Sequence, residues 1–215
     1  EDLRVKKSLL LPAVLGISVI ITRMIFSGLT STGPLIRDIS EGSVVVAFGD
    51  SITYGTGADR DSSYPAVLSD LLEITVINEG VPGEEILQGL QRLKRVLDTY
   101  SPQLLILCAG GNDILRGRPE REIGSDLRKM LEMLVERDVD VILIGVPSLG
   151  ITLEPPGFYE DLAREFNVPY EGKILKKILS SADLKSDQVH PDASGYRLLA
   201  EAVARLIERS GWDRE

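Results

Sequence analysis

A single imidazole, His190, stands three residues after an acid in the run Asp187-Gln188-Val189-His190. Imidazole is the side chain that both takes and gives a proton near neutrality. With one histidine in the chain, acyl transfer through a nucleophilic hydroxyl has no second base of this kind to draw on. That chemistry also needs the hydroxyl itself, an acid to orient the base, and donors for an oxyanion. Three short segments supply candidates. Gly49-Asp50-Ser51-Ile52-Thr53 offers Ser51 behind a glycine that permits a tight turn. Asn78-Glu79-Gly80-Val81-Pro82-Gly83 offers Gly80 as an unobstructed backbone N–H, and Gly110-Gly111-Asn112-Asp113 offers the Asn112 amide. Singly, each segment reads as a turn, because Gly, Asn, Asp and Ser are what turns are made of.

Their positions relative to the predicted elements give them a common meaning. Four apolar, β-branched runs read as strands buried on both faces: 44–48, 74–78, 104–109 and 139–145. Helical periodicity separates them over 64–72, 84–97 and 120–136, and a last helix is expected over 193–208. Ser62-Ser63 caps the first of these, with Pro65 early in it. Ile86, Leu87, Leu90, Leu93 and Leu97 share a face of the second. Strand–helix alternation of this kind implies a three-layer α/β/α domain with a mainly parallel sheet. Ligands of such sheets bind beyond the carboxyl ends of the strands, and Ser51, Gly80 and Asn112 each follow a strand. Pro191 disfavours helix at His190. The Asp187–His190 pair is therefore expected on a loop, with Pro191 and Asp192 opening the last helix.

With these blocks in hand, the chain resembles the SGNH (GDSL) hydrolase superfamily. Gly49-Asp50-Ser51-Ile52-Thr53, Gly80, Gly110-Gly111-Asn112-Asp113 and Asp187-x-x-His190 occur in that superfamily's order, and Ser63-Tyr64-Pro65 and 76–83 extend the likeness over about residues 43–207. The likeness is greatest to the small single-domain group of thioesterase I, lysophospholipase L1 and arylesterase. The resemblance implies a flavodoxin-like fold, Ser51 as nucleophile, His190 as general base and then acid, and Asp187 orienting the imidazole. It also implies an oxyanion hole of the Ser51 and Gly80 N–H groups with the Asn112 amide, and no metal or organic cofactor. Glu79 departs from the commoner pattern, in which a small residue precedes the glycine. A carboxylate there weakens an oxyanion site unless its side chain points away.

Composition bounds the remainder. The 215 residues suit one domain plus a tail, and the formal net charge is −9. Residues 1–40 hold five basic and three acidic groups, leaving 19 basic and 30 acidic in the body. An acidic body without a basic stripe argues against a nucleic-acid partner. One cysteine, Cys108, excludes an internal disulfide, and one His with one Cys excludes the usual zinc site. Arg4, Lys6 and Lys7 precede an apolar stretch from Ser8 to Leu29, long enough to span a bilayer as a helix. Residues 1–30 are read as a membrane anchor or a signal segment, 31–42 as a linker and 43–210 as the hydrolase domain. No A-x-A-like cleavage site follows, which favours the anchor; the secreted or periplasmic alternative is cleavage. Either way the basic flank stays cytoplasmic and the body is exported.

Other signals carry less. Gly55-Thr56-Gly57 completes neither a dinucleotide fingerprint nor a phosphate loop. Cys108 reads as core, and Asp50 and Asp113 as turn or supporting hydrogen-bond residues rather than metal ligands. Residues 148–159 form a long loop that either shapes an acyl pocket or only connects. The expected function is hydrolysis of a carboxylic ester or thioester of aryl ester, lysophospholipid or acyl thioester type. The alternatives are a carbohydrate O-acetylesterase and a non-catalytic lipid- or glycan-binding domain.

Overall fold

The computed structural model describes residues 34–37, 39, 42–150 and 152–212. Five strands form one parallel sheet in the order β2-β1-β3-β4-β5: β1 Val45–Gly49, β2 Val76–Gly80, β3 Leu104–Cys108, β4 Asp140–Ile144 and β5 Tyr170–Glu171. This is the flavodoxin-like order, and chain direction across the sheet reverses between β1 and β3. Every residue of β1, β3 and β4 is buried, in keeping with their apolar runs, and the one charged residue among them, Asp140 at the start of β4, is buried too. The helices are α1 Ser51–Tyr54, α2 Tyr64–Leu72, α3 Ile86–Tyr100, α4 Gly111–Leu115, α5 Glu120–Glu136, α6 Phe158–Phe166, α7 Ile174–Leu179 and α8 Ala193–Arg209. Helices α2 and α8 pack together, as do α3 and α5, with α6 against α5.

Several elements differ from expectation for local reasons. The second strand runs two residues later than its apolar pattern, because its register continues to Gly80 opposite Gly49. Helix α3 starts at Ile86 behind a capping box in which Glu85 and Gln88 satisfy each other's backbone N–H groups. Leu87 is turned outward, so the buried stripe of α3 runs through Ile86, Leu93 and Leu97 with Gly89 and Val96. Pro191 lies just outside α8, bridged to Lys185, and Asp192 is the cap, accepting from the Gly195 N–H at 2.8 Å. Ser63 sits at the N-cap of α2, but its hydroxyl donates to the Arg60 carbonyl instead. Cys108 is fully buried as expected, and burial pushes its thiol well up, so it is an inert core group.

The apolar N-terminal segment, residues 1–30, lies outside the described residues. Part of the stretch read as a linker is packed on the body: Ile36 and Ile39 belong to the hydrophobic core. The Ile36 N–H donates to the Ser210 carbonyl at the end of α8, and Arg37 bonds Asp140, the first residue of β4, through its backbone N–H and Nε at 2.7 and 3.1 Å. The Trp212 indole donates to the Ile39 carbonyl, so the packed body also passes residue 210. These contacts lie across the amino ends of the strands, opposite the edge that carries Ser51 and Asn112.

Candidate active site

Ser51 is the first residue of α1, directly beyond β1. Asp50 caps that helix, its Oδ1 accepting the Ile52 N–H at 3.0 Å. Burial pushes the Asp50 carboxyl up to about 6, against the lowering effect of the Ile52 N–H. The turn needs glycine on both sides. A Cβ at Gly49 would lie 2.0 Å from the Cys108 carbonyl oxygen, and one at Gly80 2.1 Å from the Tyr54 nitrogen. The close approach of β1, β2 and β3 thus lets the short α1 sit down on the sheet.

The Asp187–His190 loop is wound around one carboxylate. Asp187 Oδ1 accepts the N–H groups of Val189 and His190, each at 2.8 Å, and Oδ2 lies 2.7 Å from His190 Nδ1. That local bonding is the physical content of the three-residue spacing. The loop is closed beneath by Ser186 N–H to the His190 carbonyl and by the Lys185–Pro191 bridge. Burial pushes the Asp187 carboxyl up. The bond from the His190 ring and the two N–H bonds outweigh it, and the group is held below its ordinary range. With Nδ1–H directed at Asp187, Nε2 presents its lone pair to Ser51 Oγ at 2.9 Å. Ser51, His190 and Asp187, 139 residues apart at the extremes of the pattern, form one hydrogen-bonded chain.

The expected oxyanion donors fare unequally. Ser51 N–H, at the first position of a helix, has no partner among the described residues. Asn112 stands in the first turn of α4. One of its Nδ2 hydrogens is held by the Glu84 carbonyl at 3.1 Å, and the other meets Asp50 Oδ2 only at 3.4 Å, leaving it available to a stronger acceptor. Gly80 is not the unobstructed donor it was expected to be. It is the last residue of β2, and its N–H donates to Asn78 Oδ1 at 2.9 Å. Beyond the strand, the Gly83 N–H, at φ 80°, has no partner among the described residues, and Gly83 immediately precedes Glu84, whose carbonyl holds Asn112. An Asn two residues before a glycine is a known Asx-turn pattern, so the signal against Gly80 was present in Asn78-Glu79-Gly80. Glu79 points away from the site, to Arg92 Nη1 at 2.8 Å and the Tyr100 hydroxyl at 2.8 Å.

A pocket of about 80 Å³ opens on this chain of groups. Ser51, Asn112 and His190 line it with Leu115, Val146, Pro147, Leu149, Leu179 and Val189. Leu149 comes from the 148–159 loop, which therefore shapes the pocket, while the Tyr159 end of that stretch is already in α6. Leu115 and Leu149 also line an adjoining depression of about 360 Å³. Asp113 is fully buried, its Oδ2 accepting the Ile86 N–H at 2.9 Å and its Oδ1 facing Arg118 at 2.9 Å. It is a structural carboxylate, as is Asp50. Among the described residues no cluster of His, Cys, Asp and Glu is arranged to hold a metal.

An acid–imidazole–hydroxyl chain set at the switch point of a flavodoxin-like sheet defines the class as an SGNH-type α/β hydrolase. The pattern of the GDSL-like lipase/acylhydrolase family matches residues 47–198, and the chain belongs to that family. It is similar to an arylesterase of Vibrio mimicus, 28% identical over 174 residues, covering 76% of this chain and 87% of that one. It is similar also to thioesterase 1/protease 1/lysophospholipase L1 of Escherichia coli (strain K12), 25% identical with coverage of 76% and 83%. Among solved structures, the SGNH-hydrolase family esterase AlinE4 is 34% identical, with a TM-score of 0.63 and coverage of 80% and 98%.

Proposed function

We propose that this chain hydrolyses carboxylic esters or thioesters through an acyl-enzyme on Ser51. The observation that carries the reading is the 2.9 Å approach of His190 Nε2 to Ser51 Oγ, with Asp187 behind it, at the mouth of an apolar-walled pocket. His190 takes the hydroxyl proton as Ser51 Oγ attacks the acyl carbon, and the ionised Asp187 stabilises the imidazolium that forms. The developing oxyanion is met by the N–H groups of Ser51 and Gly83 and by the Asn112 amide, Gly83 taking the place first assigned to Gly80. The imidazolium protonates the departing alcohol or thiol. Water deprotonated by Nε2 then attacks the acyl-enzyme, the Oγ–acyl bond breaks, and the imidazolium returns the proton to Ser51 Oγ as the acid leaves. No step calls for a metal or an organic cofactor.

The apolar wall of Leu115, Val146, Leu149 and Leu179 suits an acyl chain, and the names of the relatives suggest aryl esters, lysophospholipids and acyl thioesters as the substrate classes to test. A panel of aryl esters, acyl thioesters, lysophospholipids and acetylated sugars tests this. Highest kcat/KM on acetylated sugars, with little on the others, would replace the reading by a carbohydrate O-acetylesterase. Asn112→Ala is expected to lower kcat about 10²-fold with little change in KM, measured by steady-state ester hydrolysis.

The apolar stretch 8–29 serves here as a membrane anchor, with the body outside the cytoplasm. Ile36 and Arg37 tie the chain to the edge opposite the active site. The four residues from Thr30 to Gly33 extend at most about 14 Å, and a body of this size is about 40 Å across. An anchored chain therefore turns its site away from its own bilayer, toward esters in the aqueous phase. The full chain in vesicles is expected to cleave a dissolved aryl ester but not an ester embedded in the same bilayer. Inserting about 20 Gly/Ser residues between Thr32 and Gly33 should release the second activity alone. Cleavage of the embedded ester without the insertion would contradict this arrangement.

A further inference from the structure

Arg92, in α3, touches none of the groups assigned to the reaction, yet its guanidinium holds both ends of the segment that carries Gly83. Nη1 donates to Glu79 Oε2 at 2.8 Å and Nη2 to the Glu79 carbonyl at 3.0 Å. Nε donates to Glu84 Oε1 at 2.7 Å and Nη2 to Glu84 Oε2 at 2.8 Å. The same guanidinium lies 4.0 Å over the Phe48 ring, in the strand that leads to Ser51. The cluster is largely withdrawn from water, with side-chain exposures of 10% for Arg92, 9% for Glu84 and 23% for Glu79. The Glu84 carbonyl is in turn the acceptor that orients the Asn112 amide.

We infer that Arg92 is a positioning residue for the oxyanion site, a clamp that sets Gly83 and, through Glu84, Asn112 against Ser51. The inference rests on the oxyanion assignment above. Two carboxylates lie at the ends of a six-residue segment, and one delocalised cation bridges both. Arginine suits this, since its planar fork makes several directed bonds at once, which a lysine ammonium cannot. Without the guanidinium the two partly buried carboxylates repel, and the segment between them shifts toward water. The donors act on charge that develops in the transition state, so their displacement lowers kcat and spares KM.

The test is a double-mutant cycle in the full chain. Arg92→Met keeps an unbranched side chain while removing the guanidinium, and is expected to lower kcat about 10- to 100-fold, with KM changed less than about threefold. Arg92→Lys should fall between it and wild type. Because Arg92 acts partly through Asn112, the two losses should combine to less than their product in Arg92→Met/Asn112→Ala. Should Arg92→Met fail to fold, Glu84→Gln, which weakens half of the clamp, serves in its place, with a smaller loss of kcat and the same shortfall in the cycle. An unchanged kcat in the clamp variants, or losses that multiply in full, overturns the inference while the function stands. An unchanged kcat in Asn112→Ala overturns the oxyanion assignment, and the inference with it.

Discussion

Ser51→Ala is expected to cut kcat for ester hydrolysis by at least about 10³-fold. The loss is specific to chemistry. Among the described residues the hydroxyl bonds His190 Nε2 alone, and the helix it starts is capped by Asp50, so removing one oxygen leaves the turn intact. The unfolding midpoint should therefore match wild type, and KM should change little, because the apolar pocket and the oxyanion donors survive. Residual turnover would come from those donors orienting a water. Steady-state assays on an aryl ester beside a thermal melt separate the two effects. Turnover within tenfold of wild type in a folded variant would remove Ser51 from the mechanism.

His190→Ala should cost as much. Other hydrolases can hide the loss of a base behind a neighbouring imidazole, but this chain has none. The nearest titratable neighbours do not substitute. Asp187 is held below its ordinary range and lies behind the ring, and the Asp50 carboxyl is bound to the Ile52 N–H. The variant leaves Asp187 bonded to the Val189 and residue-190 backbone N–H groups, so the loop should keep its shape. Because the serine and imidazole act as one unit, Ser51→Ala/His190→Ala should be no slower than either single variant. A double variant slower by the product of the two losses would mean that they act independently.

Much of this site was legible from the sequence because its parts obey local rules. Apolar runs, broken only by Asp140 at the start of β4, marked the three buried strands, and the ends of β1 and β3 placed Ser51 and Asn112 on one edge. Pro191 marked His190 as a loop residue. Other parts are too short to show a period: β5 has two residues, α1 four and α4 five. Helix α6 was legible in principle, since Tyr159, Leu162, Ala163 and Phe166 follow helical spacing. Gly80 departs from the unobstructed donor that its sequence suggests because the Asn78 side chain takes its N–H. The Arg92 clamp spans 13 residues to Glu79 and depends on how α3 lies against β1 and β2, which no local pattern reveals. Likewise Ile36 and Ile39, set among Pro, Gly and Ser, have the local composition of a linker, and their place in the core depends on Ser210 and Trp212, far along the chain.

The central claim is that one hydroxyl is made nucleophilic by one imidazole, and covalent capture reads it directly. A fluorophosphonate phosphonylates an activated serine with loss of fluoride, and peptide mapping by mass locates the adduct. The account predicts a single adduct on Ser51 in the wild-type chain, formation slowed at least about 10³-fold in His190→Ala, and none in Ser51→Ala. An adduct on any other residue, or ester turnover by a chain whose Ser51 is never labelled, would contradict it.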